Sequence, residues 1–502
     1  MSRKRTFNIN SFYGGITDDI RTSDLSKCSH VSHFDIYRDP NRLYPMPDYV
    51  DDMNDGSTST GMKQYDIKAF HFNGTLYAVG TKSDGTGSKM FSKASAETAS
   101  WTASTTGEGT DNIYNKTILF VTPSGRRYFV TTDAGVTYLA YYAGTVTDKA
   151  STLQSFAIDE QVVVEQYKTT SYDWVLNNGA NNVSSFLANT FSSNAKSTTA
   201  YVTDLQFGDD QVGILGYNFY PYNSKLLLWD GASSLLDQNI NFGKGKPASL
   251  GFVQGTWVCV INENLSGSST FNLQANGSYS LAIKYANGNS AQTLVRLRGA
   301  TNTNGVVMPT RSKYEDSMTF YARIPQDVTP TTYKQGIWAV GKARPDTPLA
   351  LSLLLDTTSL GLVENYYTFG HHHYFAHGED GSISRLDTPS GTYTETCVYE
   401  TLMFASDTPY AKEHNGITIR TEDLPTSATV TVKYRTDEND SWTSMGVSNT
   451  DGDEYHTFTK NADGTEIGKF QEIQYRVEVV GNAPIKGVFV TLNELDNLAY
   501  KP

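Results

Sequence analysis

Cysteine is scarce in this chain: Cys28, Cys259 and Cys397 are the three among 502 residues. An odd, widely spaced set gives neither a disulfide framework nor a zinc-ligand spacing. Positive charge is also short, with 40 Lys and Arg against 53 Asp and Glu, a formal net charge of −13. A surface that grips nucleic acid needs clustered Lys and Arg to displace phosphate counterions, so no specific nucleic-acid binding is expected. The one basic run, Arg3-Lys4-Arg5, reads as a solvated tail. No stretch approaches the ~18–20 apolar residues of a membrane span, and none shows sustained helical periodicity. The opening MSRKRTFNINSFYGG lacks the apolar core of a signal peptide, which predicts synthesis in a cytoplasm and no membrane insertion.

What is present is Gly (41), Tyr (32) and much Ser, Thr and Asn. Aromatic and β-branched residues suit pleated, half-buried surfaces, while Gly and Asn serve turns, so an all-β fold is expected. Residues 67–103 show the unit. Ile67–Phe72 reads as a strand, Asn73-Gly74 as a tight turn, Thr75–Thr81 as a second strand and Lys89–Lys93 as a third. Trp101 marks a fourth, outer strand. Such a sheet is one blade of a β-propeller, and it needs like neighbours to bury its faces. Comparable openings fall near Ile67, Thr117, Gln161, Thr203, Ala248, Gln292 and Leu349. A repeat of roughly 40–50 residues suits a propeller, here of about seven blades.

The ends of the chain differ from this pattern. Residues 1–60 carry apolar anchors among polar residues without a period, which describes an extended N-terminal docking arm followed by an acidic hinge. Residues 61–405 are assigned to the propeller and 406–502 to a C-terminal β-sandwich. In the last segment Val430, Val432 and Tyr434 alternate, as do Ile473, Tyr475, Val477 and Val479, the pattern of half-buried antiparallel strands. The arm residues Phe12, Tyr13, Gly14, Gly15, Ile16, Phe34, Ile36, Leu43 and Tyr44 are expected to hold a neighbouring chain.

Three motifs bear on chemistry. Thr131, Asp133, Gly135, Thr137 and Tyr138 match an Asp-box, a structural hairpin turn in which the Asp ties down backbone amides. His371, His373 and His377 are weak metal candidates, since imidazoles at i and i+2 of a strand share a face. No carboxylate sits at ligand spacing in that run, so no bound metal and no cofactor is expected. The acidic run Asp51-Asp52-Met53-Asn54-Asp55-Gly56 lacks the third- and twelfth-position ligands of a calcium loop and reads as solvated turn. No nucleophile elbow, phosphate loop or dinucleotide fingerprint is present, so the chain is not expected to be an enzyme.

The segment Phe12-Tyr13-Gly14-Gly15-Ile16-Thr17-Asp18-Asp19, with Phe34-Asp35-Ile36 and Arg42-Leu43-Tyr44-Pro45, resembles the opening of tailed-bacteriophage virion proteins. In that family an F-x-G-G-[IL] segment precedes a propeller-like β domain. The end of the chain, with Ile473–Val480, Asn482-Ala483-Pro484 and Gly487-Val488-Phe489-Val490, is similar to the ends of such tail proteins. The resemblance implies a non-enzymatic structural protein of the tail or tail tip. Its partners would be other tail proteins and copies of itself in a ring or symmetric assembly, with a host surface glycan or receptor as a further contact. Its location would be the virion, assembled in the host bacterial cytoplasm. The alternative is a glycan-binding or sialidase-like, glycan-cleaving propeller whose sandwich is a carbohydrate-binding module; that class needs paired carboxylates and substrate-clamping arginines.

Overall fold

The structure is a computed structural model. It describes residues 2–52, 61–82, 87–94, 99–103, 112–113, 117–122, 125–133, 136–142, 147–152, 164–166, 174–177, 181–187, 190–218, 223–231, 238–264, 279–298, 307–314, 317–325, 333–369, 372–377, 382–404 and 410–499. The chain is all-β, and the helical turns among the described residues are the short Met62–Gln64 and Thr358–Leu360. It divides into two compact units. One comprises Met1–Asp48, Ile337–Asp356 and Asp387–Pro502, and the other Tyr49–Gly336 and Thr357–Leu386.

The second unit is a succession of antiparallel meanders of the β-propeller class. Its first sheet runs Tyr65–Phe72, Thr75–Lys82, Ser88–Ala94 and Thr102–Ala103, the strands expected from sequence. The turn between the first two uses Gly74 at φ +74°, a conformation that costs a glycine little. Later meanders open at Asn112, Val164, Tyr201, Lys246, Val307 and Val363, those at Tyr201 and Lys246 being joined into one eight-stranded sheet. The opening expected near Gln292 falls instead inside Ser290–Arg298, the last strand of its meander, which pairs with Tyr279–Asn287 and bridges to Gln238–Lys244 at Asn241. Residues 265–278 separate Thr256–Asn264 from Tyr279–Asn287 and lengthen that repeat. The opening expected near Leu349 is also displaced, because Ala350–Asp356 belongs to the other unit.

Strands at the start of successive meanders lie side by side. Tyr65–Phe72 touches both Leu119–Val121 and Val363–Phe369; Tyr201–Gly208 touches Lys246–Val253, which in turn touches Val307–Tyr314. The last sheet is completed by a strand from early in the chain, Tyr49–Asp51, paired with Ser382–Leu386. Between first and last sheets lie Met62, Tyr65, Phe70, Phe91 and Trp101 with Tyr374, Ala376 and Ile383. Each large apolar side chain so buried contributes about 1.5–3 kcal/mol.

The first unit is a β-sandwich. In one sheet the strands Ala350–Asp356, His30–Ser32, Cys397–Glu400, Gln474–Val480, Thr429–Arg435 and Thr443–Ser448 are consecutive neighbours. The other has the order Ser2–Ile9, Ile485–Ala499, Tyr410–Thr421 and Tyr455–Phe458. Val430, Val432, Ile473, Tyr475, Val477 and Val479 are all fully buried, as their alternation requires.

Here the division 1–60, 61–405 and 406–502 is corrected. The first 48 residues are not a separate arm but part of the sandwich. Ser2–Ile9 pairs with Ile485–Ala499 over eight residues, and His30–Ser32 sits between Ala350–Asp356 and Cys397–Glu400. The strands are two, three or eight residues long and separated by turns, so no alternating period builds up in the sequence. The acidic hinge is corrected as well: Tyr49–Asp51 is a strand, and Asp52 is buried. Residues 53–60 lie outside the described residues.

Candidate functional site

The residues of the expected docking arm are spent inside their own chain. Phe12, Phe34, Ile36 and Leu43 are at most 2% exposed, Ile16 is buried, and Tyr13 and Tyr44 are half-buried. Phe12 meets the Tyr399 ring edge-on at 5.4 Å, and Arg38 lies over Tyr44 at 4.4 Å. Leu43 exchanges backbone hydrogen bonds with Ile485 at 3.1 and 3.0 Å. An apolar side chain already buried at home has little to offer a neighbour, so the docking role of these nine residues is withdrawn.

The two glycines show why the segment reads F-x-G-G. A Cβ on Gly14 would stand 2.6–2.8 Å from Ser26 and Lys27 atoms. Gly15 has φ +62°, and its Cβ would stand 2.7 Å from the Leu351 carbonyl oxygen. Nearby, the Cys28 thiol donates to the Gly15 carbonyl at 3.4 Å. All three cysteines are buried thiols outside any disulfide. Burial pushes the Cys259 and Cys397 thiols well above their ordinary range, which makes them poor nucleophiles.

The Asp-box residues fall on a hairpin, Arg127–Asp133 paired with Val136–Tyr142, with Asp133 opposite Val136. Thr131 and Thr137 are buried and Tyr138 is half-buried. The Asp133 side chain and Gly135 lie outside the described residues, as does His371. His373 and His377 are on one strand but engage different partners. His373 Nδ1 is 2.7 Å from the Tyr366 hydroxyl and 2.9 Å from Thr368 Oγ1. His377 Nε2 is 2.9 Å from Ser384 Oγ, and burial lowers the His377 pKa. The structure does not bring the two imidazoles to one point. Among the described residues no three His, Cys, Asp or Glu side chains gather as metal ligands.

Two ionic groups were not singled out from sequence. Asp52 accepts from Lys93 Nζ at 2.8 and 2.9 Å and from Trp101 Nε1 at 2.9 Å, with Arg385 Nε at 3.3 Å. The Lys93 side chain has no exposed surface and its ammonium lies over the Trp101 and Tyr374 rings. This group pins the chain next to Tyr49–Asp51 against the first sheet. Its only sequence signal is an acid beside a strand that closes a sheet.

The second group is Asp66, Lys68 and Glu364. Lys68 Nζ pairs with Asp66 and reaches Glu364 Oε2 at 3.2 Å. Burial, with Glu364 alongside, raises the Asp66 carboxyl to about 6 despite the lysine. Two carboxyls that share one cation can hold a proton between them. The pair stands on the opening strands of the first and last sheets.

On the sandwich, a cavity of about 300 Å³ is lined by Tyr434, Arg435, Asp440, Thr443 and Lys469 among others. Beside it the Arg435 guanidinium covers the Trp442 ring at 4.6 Å. The two edges of the four-stranded sheet are charged with opposite sign. Ser2–Ile9 exposes Arg3 and Lys4, while at the other edge Tyr455 is exposed on Tyr455–Phe458, and Asp451 and Asp453 are exposed in the turn before it. These edges are the arrangement in the sandwich best suited to binding.

An all-β chain with a propeller unit and a sandwich unit is therefore the class of protein defined here. No family model matches the sequence, and no curated protein does. Solved structures similar to it include hydrazine synthase of Kuenenia stuttgartiensis, at 10% identity and TM-score 0.42, covering 64% of this chain and 96% of that one. The β-propeller domain of the trilobed protease from Pyrococcus furiosus is similar at 9% identity and TM-score 0.29, covering 67% and 91%. A glycoside hydrolase is similar at 12% identity and TM-score 0.26, covering 85% and 96%. Likenesses this distant say nothing about activity.

Proposed function

We propose that this chain is a non-enzymatic structural protein of a tailed-bacteriophage virion, placed in the tail or tail tip and acting through protein–protein contacts. The reading includes a propeller of about seven blades, supported by the succession of meander openings between Tyr65 and Val363. The observation that carries it is the use made of Phe12-Tyr13-Gly14-Gly15-Ile16, the segment that bears the phage-tail resemblance. Gly14 and Gly15 are glycines because backbone passes too close for a Cβ, so the motif is a construction element of a sandwich. Its partners would be other tail proteins and copies of the chain, and its place the virion assembled in the bacterial cytoplasm. Mass spectrometry of purified particles of the encoding virus tests this. Recovery in a fixed, stoichiometric copy number is expected; absence from washed particles overturns it.

The polar cavity beside Tyr434 favours a second reading, a glycan-binding sandwich. Against it, the Trp442 face that would stack on a sugar is taken by Arg435. Binding of the purified chain to immobilised glycans, lost in Tyr434→Ala, would make the second reading the better one.

A further inference from the structure

The four-stranded sheet of the sandwich ends in two strands of opposite character. Ser2–Ile9 pairs with Ile485–Ala499 on one side, and among the described residues no strand pairs with its other side. It runs eight residues in unbroken register, without proline or bulge. Arg3, Lys4, Thr6 and Asn8 are exposed along it, while Arg5 is committed to Glu494 at 3.1 Å. At the far end Tyr455–Phe458 pairs with Tyr410–Thr421, and again no described strand pairs beyond it.

That far edge is acidic and partly apolar. Asp451 and Asp453 are exposed in the turn before the strand and Asp463 in the turn after it, and among the described residues no cation stands within ion-pair distance of them. The neighbouring cations are already engaged, Arg420 with Glu454 at 3.7 Å and Lys460 with Glu466 at 2.8 Å. Tyr455 is 59% exposed. Val447, 58% exposed, lies on Thr443–Ser448, the edge of the facing sheet. Ser448 Oγ and His456 Nδ1, 2.9 Å apart, join the two edges. A long unpaired strand edge is a template for another strand, and proteins usually blunt one with charge. Here the charges do more than blunt. Basic edge against basic edge and acidic against acidic are repelled, whereas basic against acidic is attracted.

We infer that the basic Ser2–Ile9 edge of one copy docks against the acidic Tyr455–Phe458 edge of a second copy. The sheet is thereby continued from chain to chain, with Tyr455 and Val447 covered at the junction. The contact joins two different surfaces of the same chain, so it is head-to-tail. It closes into a ring if the rotation between copies allows and extends as a filament if not. The inference rests on the proposal that the chain works through contacts with copies of itself, and it names the surfaces.

Sedimentation velocity of the full chain at low and high salt tests it, with two variants. Arg3→Glu/Lys4→Glu makes both edges acidic, and Asp451→Lys/Asp453→Lys makes both basic. The altered side chains are exposed, and an unchanged melting temperature checks that each variant folds. The unaltered chain is expected to associate at low salt and to weaken as salt screens the edges. Each variant alone should associate about a hundredfold more weakly, since like charges now face each other. An equimolar mixture should regain the original mass, because each altered edge meets an edge of opposite sign. A monomeric unaltered chain, a variant that keeps the original mass, or a mixture that stays monomeric each overturns the docking surface. None of these results touches the particle assay for the virion assignment, so the two can fail separately.

Discussion

The two units of this chain are built from similar strands in opposite ways. In the propeller unit almost every strand pairs with its neighbour in sequence: Thr75–Lys82 lies between Tyr65–Phe72 and Ser88–Ala94, and the pattern repeats. In the sandwich unit the pairings join distant segments. Ser2–Ile9 pairs with Ile485–Ala499, and His30–Ser32 pairs with both Ala350–Asp356 and Cys397–Glu400. Local pairing leaves a repeating mark on the sequence, while long-range pairing leaves none beyond the apolar residues. The same difference bears on folding, since loop closure must precede long-range contacts. The sandwich depends on its first 48 residues for an edge strand of one sheet and an inner strand of the other.

The largest effect should come from breaking that dependence. Deleting residues 1–47 removes Val31, Phe34, Ile36 and Leu43 from the sandwich core and strips a strand from each sheet. Four such side chains at about 1.5–3 kcal/mol each already match the whole stability of an ordinary domain. The expected outcome is loss of the sandwich's melting transition in calorimetry, with a transition from the propeller unit retained. Two intact transitions would show that the arm is dispensable to the fold.

Legibility followed the same division. The first propeller sheet could be read strand by strand because Asn73-Gly74 punctuates it and Trp101 anchors its outer strand. The repeat was lost at Gln292, where a long connection shifts the phase, and at Leu349, where a run of buried residues serves the other unit. Alternation placed the Thr429–Arg435 and Gln474–Val480 strands correctly, since one face of each is core. The arm was misread because its strands are too short to alternate. Asp52, expected in a solvated turn, and Asp66 elude sequence reading for a related reason: the Lys93 that pairs with Asp52 is 41 residues away, and the Glu364 that crowds Asp66 across Lys68 is 298 away, so nothing local marks either group.

Within the propeller unit the closing strand is held by a buried charge pair, which gives the next largest effect. Asp52→Ala leaves the Lys93 ammonium without its carboxylate in a site closed to solvent. Breaking a buried pair from one side costs about 3–5 kcal/mol. The double variant Asp52→Ala/Lys93→Met should recover part of the loss, because the Lys93 charge is gone and Met fills the volume, while Arg385, 15% exposed, still lacks its carboxylate neighbour. Denaturant midpoints of the four chains check this. An equal loss in single and double variants would assign the effect to packing around Trp101 rather than to the ion pair.

The smallest effect concerns acid, and it sharpens the contrast because it touches one unit alone. Burial and the nearby Glu364 raise the Asp66 carboxyl from 3.8 in the unfolded chain to about 6 in the folded one. A raised carboxyl binds its proton more tightly when folded, so protonation favours the native state. That stability is fully present below 3.8 and is lost as the pH rises past about 6. From this pair the propeller transition should move to lower temperature between about pH 4 and 6.5, against the usual gain of carboxylate-rich proteins over that range. Glu364→Gln removes the neighbouring charge while keeping a hydrogen-bonding side chain against Lys68, so the Asp66 carboxyl should fall and the dependence flatten. The sandwich transition lacks this pair and should respond the same way in both chains. Calorimetry from pH 4 to 7 on the two chains compares them directly. Parallel curves for the propeller transition would mean that Lys68 neutralises both carboxylates, and that no proton is shared across the first and last sheets.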